Sequence, residues 1–296
     1  PLVPSSWKGD GPMKRNKNRP PITLLPMALW TTVFVAVPLV YVLGLSFMKK
    51  AATWGVVAEF SLDSYKNLLN PVYLKVFAQS FWVAILTTVF ALLIGYPFAY
   101  FTAKLPKKHR SLVLMLMLVP FWTNSLVRIY GWMILLRSQG VINGLLMQFG
   151  VIDKPLKLLY TFGAVLVGMV YALLPFMVLA IYNSVCKVDW SLVEASRDLG
   201  AGRAKAFFTV TLPLTMPGVM AGCVLVFIPS VGLFFISDLL GGAKTMLLGN
   251  LIKNELLSAK NWPMGAALSI AMMAVTLLVI RLYQHFSRDQ NLEGLL

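Results

Sequence analysis

The chain has 296 residues, of which 58% are hydrophobic and only 12% are charged, and its mean hydropathy is +0.75. Soluble domains carry about 25% charged residues, so this composition leaves too little polar surface for a soluble enzyme. The 26 Lys and Arg residues outnumber the 11 Asp and Glu residues, which gives a net charge of +15. In a chain this apolar, excess basic residues indicate membrane topology, and no nucleic-acid partner is expected.

The sequence has few residues suited to metal binding or redox chemistry. The two cysteines, Cys186 and Cys223, and the two histidines, His109 and His285, form no CxxC or HExxH pattern. We therefore expect no metal site. Both cysteines are predicted to be small packing residues with free thiols.

The first residues differ in character from the rest. Residues 1–12 precede Met13, which opens a basic run from Lys14 to Arg19. We expect residues 1–12 to be a cloning remnant and residues 13–21 to be a cytosolic N-terminus. The first apolar run is too long for the core of a secretory signal peptide.

Long apolar segments recur along the chain. A helix that crosses a bilayer needs about 20 mostly apolar residues. Six segments qualify: 22–47, 76–102, 111–136, 160–183, 214–237 and 263–283. They predict an all-α integral membrane domain over residues 22–287, followed by a tail over 288–296.

Two local patterns within the spans predict departures from straight, separate helices. Each of the first five spans contains a proline, which tends to kink a helix: Pro38, Pro97, Pro120, Pro175 and Pro229. Gly218 and Gly222, four residues apart, predict a close contact between two helices.

Basic residues in short loops predict the orientation, because such loops face the cytoplasm. The loop from Lys104 to Arg110 holds four Lys and Arg residues and no acid, like the basic run before the first span. Both termini and residues 184–213 are therefore predicted to be cytoplasmic.

Residues 184–213 are predicted to form a helical hairpin. Ser191 and Glu194 have the spacing of a capping box at the start of a short helix. Gly200 follows Leu199 where a helix end requires a left-handed residue. A second helical stretch is predicted from Arg203 to Val210, ending near Pro213.

Glu194-Ala195-Ser196, Gly200 and Val210-Thr211-Leu212-Pro213 resemble the EAA loop of ABC importer permeases, with Ser196 in place of the second alanine and Val210 in place of isoleucine. The resemblance implies a type I, MetI-like permease with six transmembrane helices and a cytosolic coupling hairpin. In that family the loop sits in a groove of the ATP-hydrolysing subunit. The implied coupling residues are Glu194, Ala195, Ser196, Asp198, Gly200, Leu212 and Pro213.

The chain is not expected to be an enzyme or to hold a cofactor. The segment Gly241 to Thr245 lacks the glycine spacing of a phosphate-binding loop. The family resemblance implies instead that ATP and Mg are bound by a separate dimer of ATP-binding subunits.

Further segments resemble the B-type permease of the spermidine/putrescine transport system: Gly95–Ala99, Val119–Gly131, Leu174–Val178, Ser237–Lys244 and Asn261–Pro263. Asn261 stands where that family usually has aspartate. The resemblance implies import of polyamines by alternating access across a bacterial inner membrane. It also implies two further partners, a second homologous permease and an extracytoplasmic polyamine-binding protein.

A pathway for a polycation should offer carboxylates and aromatic faces. The candidate pathway residues are Trp122, Tyr130, Tyr171 and Asp238. Arg128 would repel such a cargo unless it is paired, and Asp238 is its candidate partner.

Other readings remain open from the sequence. The chain could be the permease of a related ABC importer for another small solute, such as an anion or a metal chelate. An ion-coupled transporter or channel usually needs buried carboxylates, which spans two, three, four and six lack. A nonconducting structural subunit would not explain the hairpin. The choice between putrescine and spermidine is left open.

Overall fold

A computed structural model describes residues 25–51, 55–242 and 245–293, with side chains as far as residue 285. The described residues divide into two units, with the boundary between Gly44 and Leu45. The predicted cloning remnant, the cytosolic N-terminus and the last three residues lie outside the described residues. Ala243 and Lys244 do so as well.

Helix α1, Leu25–Ser46, supplies the described part of the first unit. It contains a π-helical turn, Thr32–Ala36, in which the Val37 amide donates to the Thr32 carbonyl. The turn ends at Ala36, two residues before Pro38. A proline ring clashes with the carbonyl four residues earlier, and the wider turn relieves that clash.

The second unit is built on long apolar helices. These are α3 (Pro71–Lys104), α7 (Phe162–Val185), α9 (Arg203–Gly232) and α12 (Trp262–Glu293). Together with α1, the described residues hold five helices long and apolar enough to cross a membrane. A bent pair makes six if it counts as one span. The predicted helical membrane class is confirmed.

A bent pair of helices stands where a single third span, kinked at Pro120, is predicted over residues 111–136. Helix α4 (Lys107–Leu118) continues into a 3-10 turn that contains Pro120 and ends at Trp122. The chain then turns by 93° into α5 (Ser125–Leu136) and α6 (Val141–Gln148). The sequence predicts a kink at Pro120, and the structure shows a sharper bend just after it that divides the span in two.

The second arm of the predicted hairpin is longer in the structure, where it is the first part of helix α9. The second arm does not end near Pro213, because the helix runs unbroken from Arg203 to Gly232. A π-helical turn, Phe207–Thr211, precedes Pro213, and the Leu212 amide donates to the Phe207 carbonyl. A π-helical turn thus lies before Pro213, as one does before Pro38. The helix breaks later, at Leu233.

Short elements connect the spans. An antiparallel pair of strands, β1 (Met48–Lys50) and β2 (Val56–Phe60), follows α1; the all-α prediction did not include it. The short helices are α2 (Asp63–Leu68), α8 (Trp190–Asp198), α10 (Phe234–Gly241) and α11 (Leu248–Lys253).

The core lies where α3, α7 and α9 pack together, around Met177, Ile181 and Val226. The predicted close contact at Gly218 and Gly222 is confirmed. A Cβ atom at Gly218 would overlap Ser184 on α7, and one at Gly222 would lie 2.6 Å from the Met177 sulfur. The two helices approach this closely because both positions lack a side chain.

Candidate functional site

The hairpin begins with a cap on helix α8. The Asp189 carboxylate accepts a hydrogen bond from the Ser191 amide at 3.0 Å. Hydrogen bonds from the side chain and the backbone of Ser191 hold the pKa of Asp189 below its ordinary value. The predicted capping box at Ser191 and Glu194 is therefore wrong. An aspartate two residues earlier caps the helix, and its charge also suits the helix N-terminus.

The end of α8 has the predicted form. Gly200 is left-handed, with φ +88°, and its amide donates to the Arg197 carbonyl at 2.9 Å. The Ala201 amide donates to the Ser196 carbonyl at 3.1 Å. These two bonds make a Schellman motif. No atom lies within 4 Å of the position a Cβ would take, so glycine is needed for backbone conformation, not for space.

A concave surface of about 580 Å³ lies between the two arms of the hairpin. Its lining residues are Glu194, Arg197, Asp198, Gly200, Ala201, Gly202 and Arg203. The lining carries two acids and two bases, and the neighbouring Leu199 is 90% exposed. A balanced set of charges beside an exposed leucine suits a protein partner better than an anionic lipid surface.

The remaining predicted coupling residues lie apart from this concave surface. The Ser196 hydroxyl donates to the Val193 carbonyl within α8, and the Ala195 carbonyl accepts from the Leu199 amide. Leu212 and Pro213 lie directly after the π-helical turn of α9. The structure thus brings Glu194, Asp198 and Gly200 together on one surface and places Leu212 and Pro213 where the arm becomes a span.

Aromatic rings seat the hairpin on the end of α3. The Tyr100 ring lies 6.0 Å from the Trp190 ring and 5.8 Å from the Phe207 ring. The Lys104 ammonium lies 4.2 Å from the centre of the Tyr100 ring and 4.8 Å from that of Trp190. Tyr96 adds a third contact, 5.6 Å from Phe207. Sequence reasoning missed this cluster, although Tyr96, Tyr100 and Lys104 recur every four residues on one helical face.

The aromatic pathway candidates do not form one site. Trp122 is 81% exposed in the 3-10 turn, and Tyr130 is 47% exposed on α5. Tyr171 is partly buried, with its ring 5.5 Å from Trp132 and 6.2 Å from Phe121. Tyr171 is thus part of an aromatic cluster, while Trp122 and Tyr130 are exposed on the surface of the described chain.

The predicted pair of Arg128 and Asp238 is wrong. Asp238 instead binds the Lys253 ammonium at 2.5 Å and accepts a hydrogen bond from the Asn250 amide at 2.5 Å. Lys253 lies on α11, which follows α10 after one connection, so it reaches Asp238 locally. The Arg128 guanidinium lies 4.1 Å from the centre of the Phe121 ring.

Asn250 organises the segment that holds Asp238. It is buried, it donates to the Phe234 carbonyl at 3.1 Å, and it accepts from the Leu247 amide at 3.0 Å. The Leu248 amide next to it donates to the Ser80 hydroxyl of α3 at 2.8 Å. Sequence reasoning missed Asn250; its one signal is a single amide side chain within an apolar run.

The described residues show no group of three or more His, Cys, Asp or Glu side chains that could hold a metal ion. Cys186 is exposed and Cys223 is partly buried, and both thiols are free.

Sequence comparisons match this chain to known transport proteins. The profile of the binding-protein-dependent transport system inner membrane components matches residues 92–291. The spermidine/putrescine transport system permease protein PotB of Salmonella typhimurium strain SL1344 is 45% identical over 279 residues, 94% of this chain and 97% of the relative. PotB of Escherichia coli strain K12 is 48% identical over 262 residues, 88% of this chain and 95% of the relative.

A solved structure shows the same fold. A chain of a bacterial ABC transporter involved in the import of the acidic polysaccharide alginate superposes with a TM-score of 0.74 at 18% sequence identity. The match covers 90% of this chain and 94% of that chain. At this identity the likeness concerns the fold alone.

Proposed function

This chain belongs to the family of binding-protein-dependent transport system inner membrane components, and from that membership we propose that it is the permease subunit of an ATP-driven polyamine importer. The observation that carries the substrate assignment is the 44–48% identity to spermidine/putrescine permeases over nearly the whole chain. The chain itself is a non-catalytic membrane subunit.

The proposed assembly supplies what this chain lacks. A dimer of ATP-binding subunits binds ATP and Mg and docks on the concave surface of the hairpin. A second, homologous permease completes the pathway, and an extracytoplasmic binding protein delivers the polyamine. The complex resides in a bacterial inner membrane, with the hairpin and both termini of this chain in the cytoplasm.

The proposed mechanism is alternating access. Closure of the ATP-binding subunits moves α8, and the contacts of Trp190 and Phe207 with Tyr100 carry that motion to α3. Helix α9 carries it directly, since it is continuous with the hairpin arm. The bend that follows Pro120 divides the third span into two parts that can reorient.

The proposed pathway uses the aromatic faces of Trp122, Tyr130 and Tyr171. Alkylammonium groups bind favourably to such faces. Asp238 is the carboxylate candidate, and its side chain is 37% exposed beside Lys253. A cargo ammonium that reaches Asp238 would have to compete with the lysine of the same chain.

Transport in proteoliposomes tests the proposed function. The complex is purified with its ATP-binding subunits, its second permease and its binding protein. We expect ATP-dependent uptake of labelled putrescine or spermidine and stimulation of ATP hydrolysis by the loaded binding protein. Uptake of an anion or a metal chelate in place of both polyamines would contradict the substrate assignment. Uptake by this chain without an ATP-binding subunit would contradict the function.

Two glycines offer a matched test of coupling. Gly200→Val forces a side chain into a left-handed position, which costs about 1–2 kcal/mol or more for a β-branched residue. Gly144→Val places the same side chain on α6, outside the concave surface, where no atom lies within 4 Å of the position of a Cβ. We expect Gly200→Val to reach the membrane but to lose uptake and stimulated ATP hydrolysis, and Gly144→Val to keep both. Wild-type uptake by Gly200→Val would exclude a coupling role for the Gly200 turn.

A further inference from the structure

Arg128 carries a charge that the described residues leave unpaired. It lies in the first turn of α5, directly after the 93° bend. Its guanidinium carbon is 4.1 Å from the centre of the Phe121 ring and 5.8 Å from that of Tyr171. Its Nε and Nη1 atoms are buried and have no hydrogen-bond partner in the part of the chain that the structure describes.

Among the described residues, no carboxylate forms an ion pair with Arg128. The sequence has no acidic residue between Asp63 and Asp153, a stretch that contains the whole of α4 and α5. Asp238, the acid predicted to pair with it, is bound by Lys253 and Asn250. A guanidinium can only donate hydrogen bonds, and an unpaired charge within an apolar span is strongly unfavourable. The acceptor must come from outside the described chain.

The surface around Arg128 indicates what kind of neighbour supplies it. The nearby apolar side chains are open: Trp122 is 81% exposed, Val127 65% and Tyr130 47%. Helix α4, on the other side of the bend, buries none of its residues. Lipid tails can cover apolar side chains but offer no hydrogen-bond acceptor. A protein surface with apolar residues around one carboxylate can cover the apolar side chains and also supply the hydrogen-bond acceptor.

We propose that Arg128 forms an ion pair with an Asp or Glu side chain of the second permease, at an interface that contains Val127 and borders the pathway faces of Trp122 and Tyr130. The inference rests on the proposed function, which provides the second permease. Nη2, unlike Nε and Nη1, is not among the buried unpaired atoms of Arg128, so a carboxylate from outside the chain can reach that edge of the guanidinium beside the Phe121 and Tyr171 rings. The pair also neutralises a charge that would otherwise repel a polyamine in the third span.

Charge exchange in the full complex tests this pair. The first readout is the amount of second permease that co-purifies with a tagged form of this chain, and the second is polyamine uptake. Arg128→Glu is expected to lower both by at least about tenfold, as for loss of a buried charge pair. Arg128→Lys should retain most of both, and Arg137→Gln, in the exposed loop after α5, should retain all. Each intramembrane Asp or Glu of the second permease is then changed to Arg in the Arg128→Glu background. One such exchange should restore both recovery and uptake.

The outcomes separate this inference from the proposed function. A wild-type complex that lacks a second permease contradicts the proposed function itself. If the second permease is present, then full recovery and uptake with Arg128→Gln overturn the ion pair, and so does the failure of every exchange to restore Arg128→Glu.

A cross-linking readout covers the case in which Arg128→Glu does not reach the membrane. A photoreactive phenylalanine analogue replaces Val127 in an otherwise wild-type chain, which leaves the guanidinium in place. Cross-links to the second permease support the interface. Cross-links to lipid alone overturn it.

Discussion

Asp238 has two partners at once, the Lys253 ammonium and the Asn250 amide, and this arrangement ties α10 to α11. Lys253 also lies 5.6 Å from the centre of the Phe234 ring. Both members of the ion pair are about one-third exposed, at 32% for Lys253 and 37% for Asp238. The carboxylate therefore has a structural partner that a cargo would need to displace.

A double-mutant cycle separates the two roles of Asp238. We expect Asp238→Asn and Lys253→Met each to destabilise the complex, with a coupling energy of about 1 kcal/mol or less, because the pair is partly exposed. Thermal unfolding of the purified complex measures this coupling. Uptake kinetics measure the pathway role separately. If Asp238→Asn transports polyamine with an unchanged KM, then Asp238 acts only in the structure.

At the scale of elements, helix α8 is held by its contacts with α3 and capped at both ends. The Asp189 carboxylate accepts from the Ser191 amide, the Gly200 amide donates to the Arg197 carbonyl, and the Trp190 ring packs on the Tyr100 ring of α3. The helix has nine residues, too few to be stable alone in water. Its position therefore depends on the aromatic contacts more than on its own helix propensity.

Truncation of Trp190 tests that dependence. Trp190→Ala removes the contact with the Tyr100 ring and with Lys104, each aromatic contact being worth about 1 kcal/mol. We expect ATP hydrolysis to continue while the polyamine transported per ATP falls. Trp190→Phe should keep most of the coupling, since a ring remains. An unchanged ratio of transport to hydrolysis in the alanine variant would show that the Trp190 contact does not carry the motion of the hairpin to α3.

The elements also show what the sequence could and could not predict. Gly200 was predictable because a helix end obeys a local rule. The cap was not, because Asp189 and Ser191 are both good caps and lie two residues apart. The partner of Asp238 is set by how α10 and α11 pack, which hydropathy does not encode. The π-helical turn before Pro213 has a local cause, but apolar periodicity predicts only that the helix is disturbed there.

At the scale of the whole molecule, three helices form the main core of the second unit. Helices α3, α7 and α9 share the main core, and a hydrogen bond of 2.8 Å joins Tyr96 of α3 to Thr215 of α9 within it. At Gly218, α9 lies against Ser184 and the Ala180 carbonyl of α7, so that an added Cβ would overlap both. Packing this tight tolerates little added volume.

Paired glycine substitutions test the packing of this core. Gly218→Ala adds a methyl group where Ser184 already lies, and overpacking of this kind costs about 1–3 kcal/mol. Gly144→Ala adds the same group on α6, where no atom lies within 4 Å, and should be neutral or stabilising because alanine favours helix. Thermal unfolding of the purified complex compares the two. A Gly218→Ala complex as stable as wild type would mean that α7 and α9 can separate without cost.

The continuity of α9 has a consequence for how force crosses the membrane. Its 30 residues make a rod about 45 Å long. Gly218, where the rod is pressed against α7, lies at its midpoint, 15 residues from Arg203 and 14 from Gly232. A rigid helix that is held at its midpoint pivots about that point, so its two ends move in opposite directions. A push on the hairpin end is therefore expected to swing the Gly232 end the opposite way and to move α11 with it, because Gly249 of α11 lies against the Gly232 carbonyl.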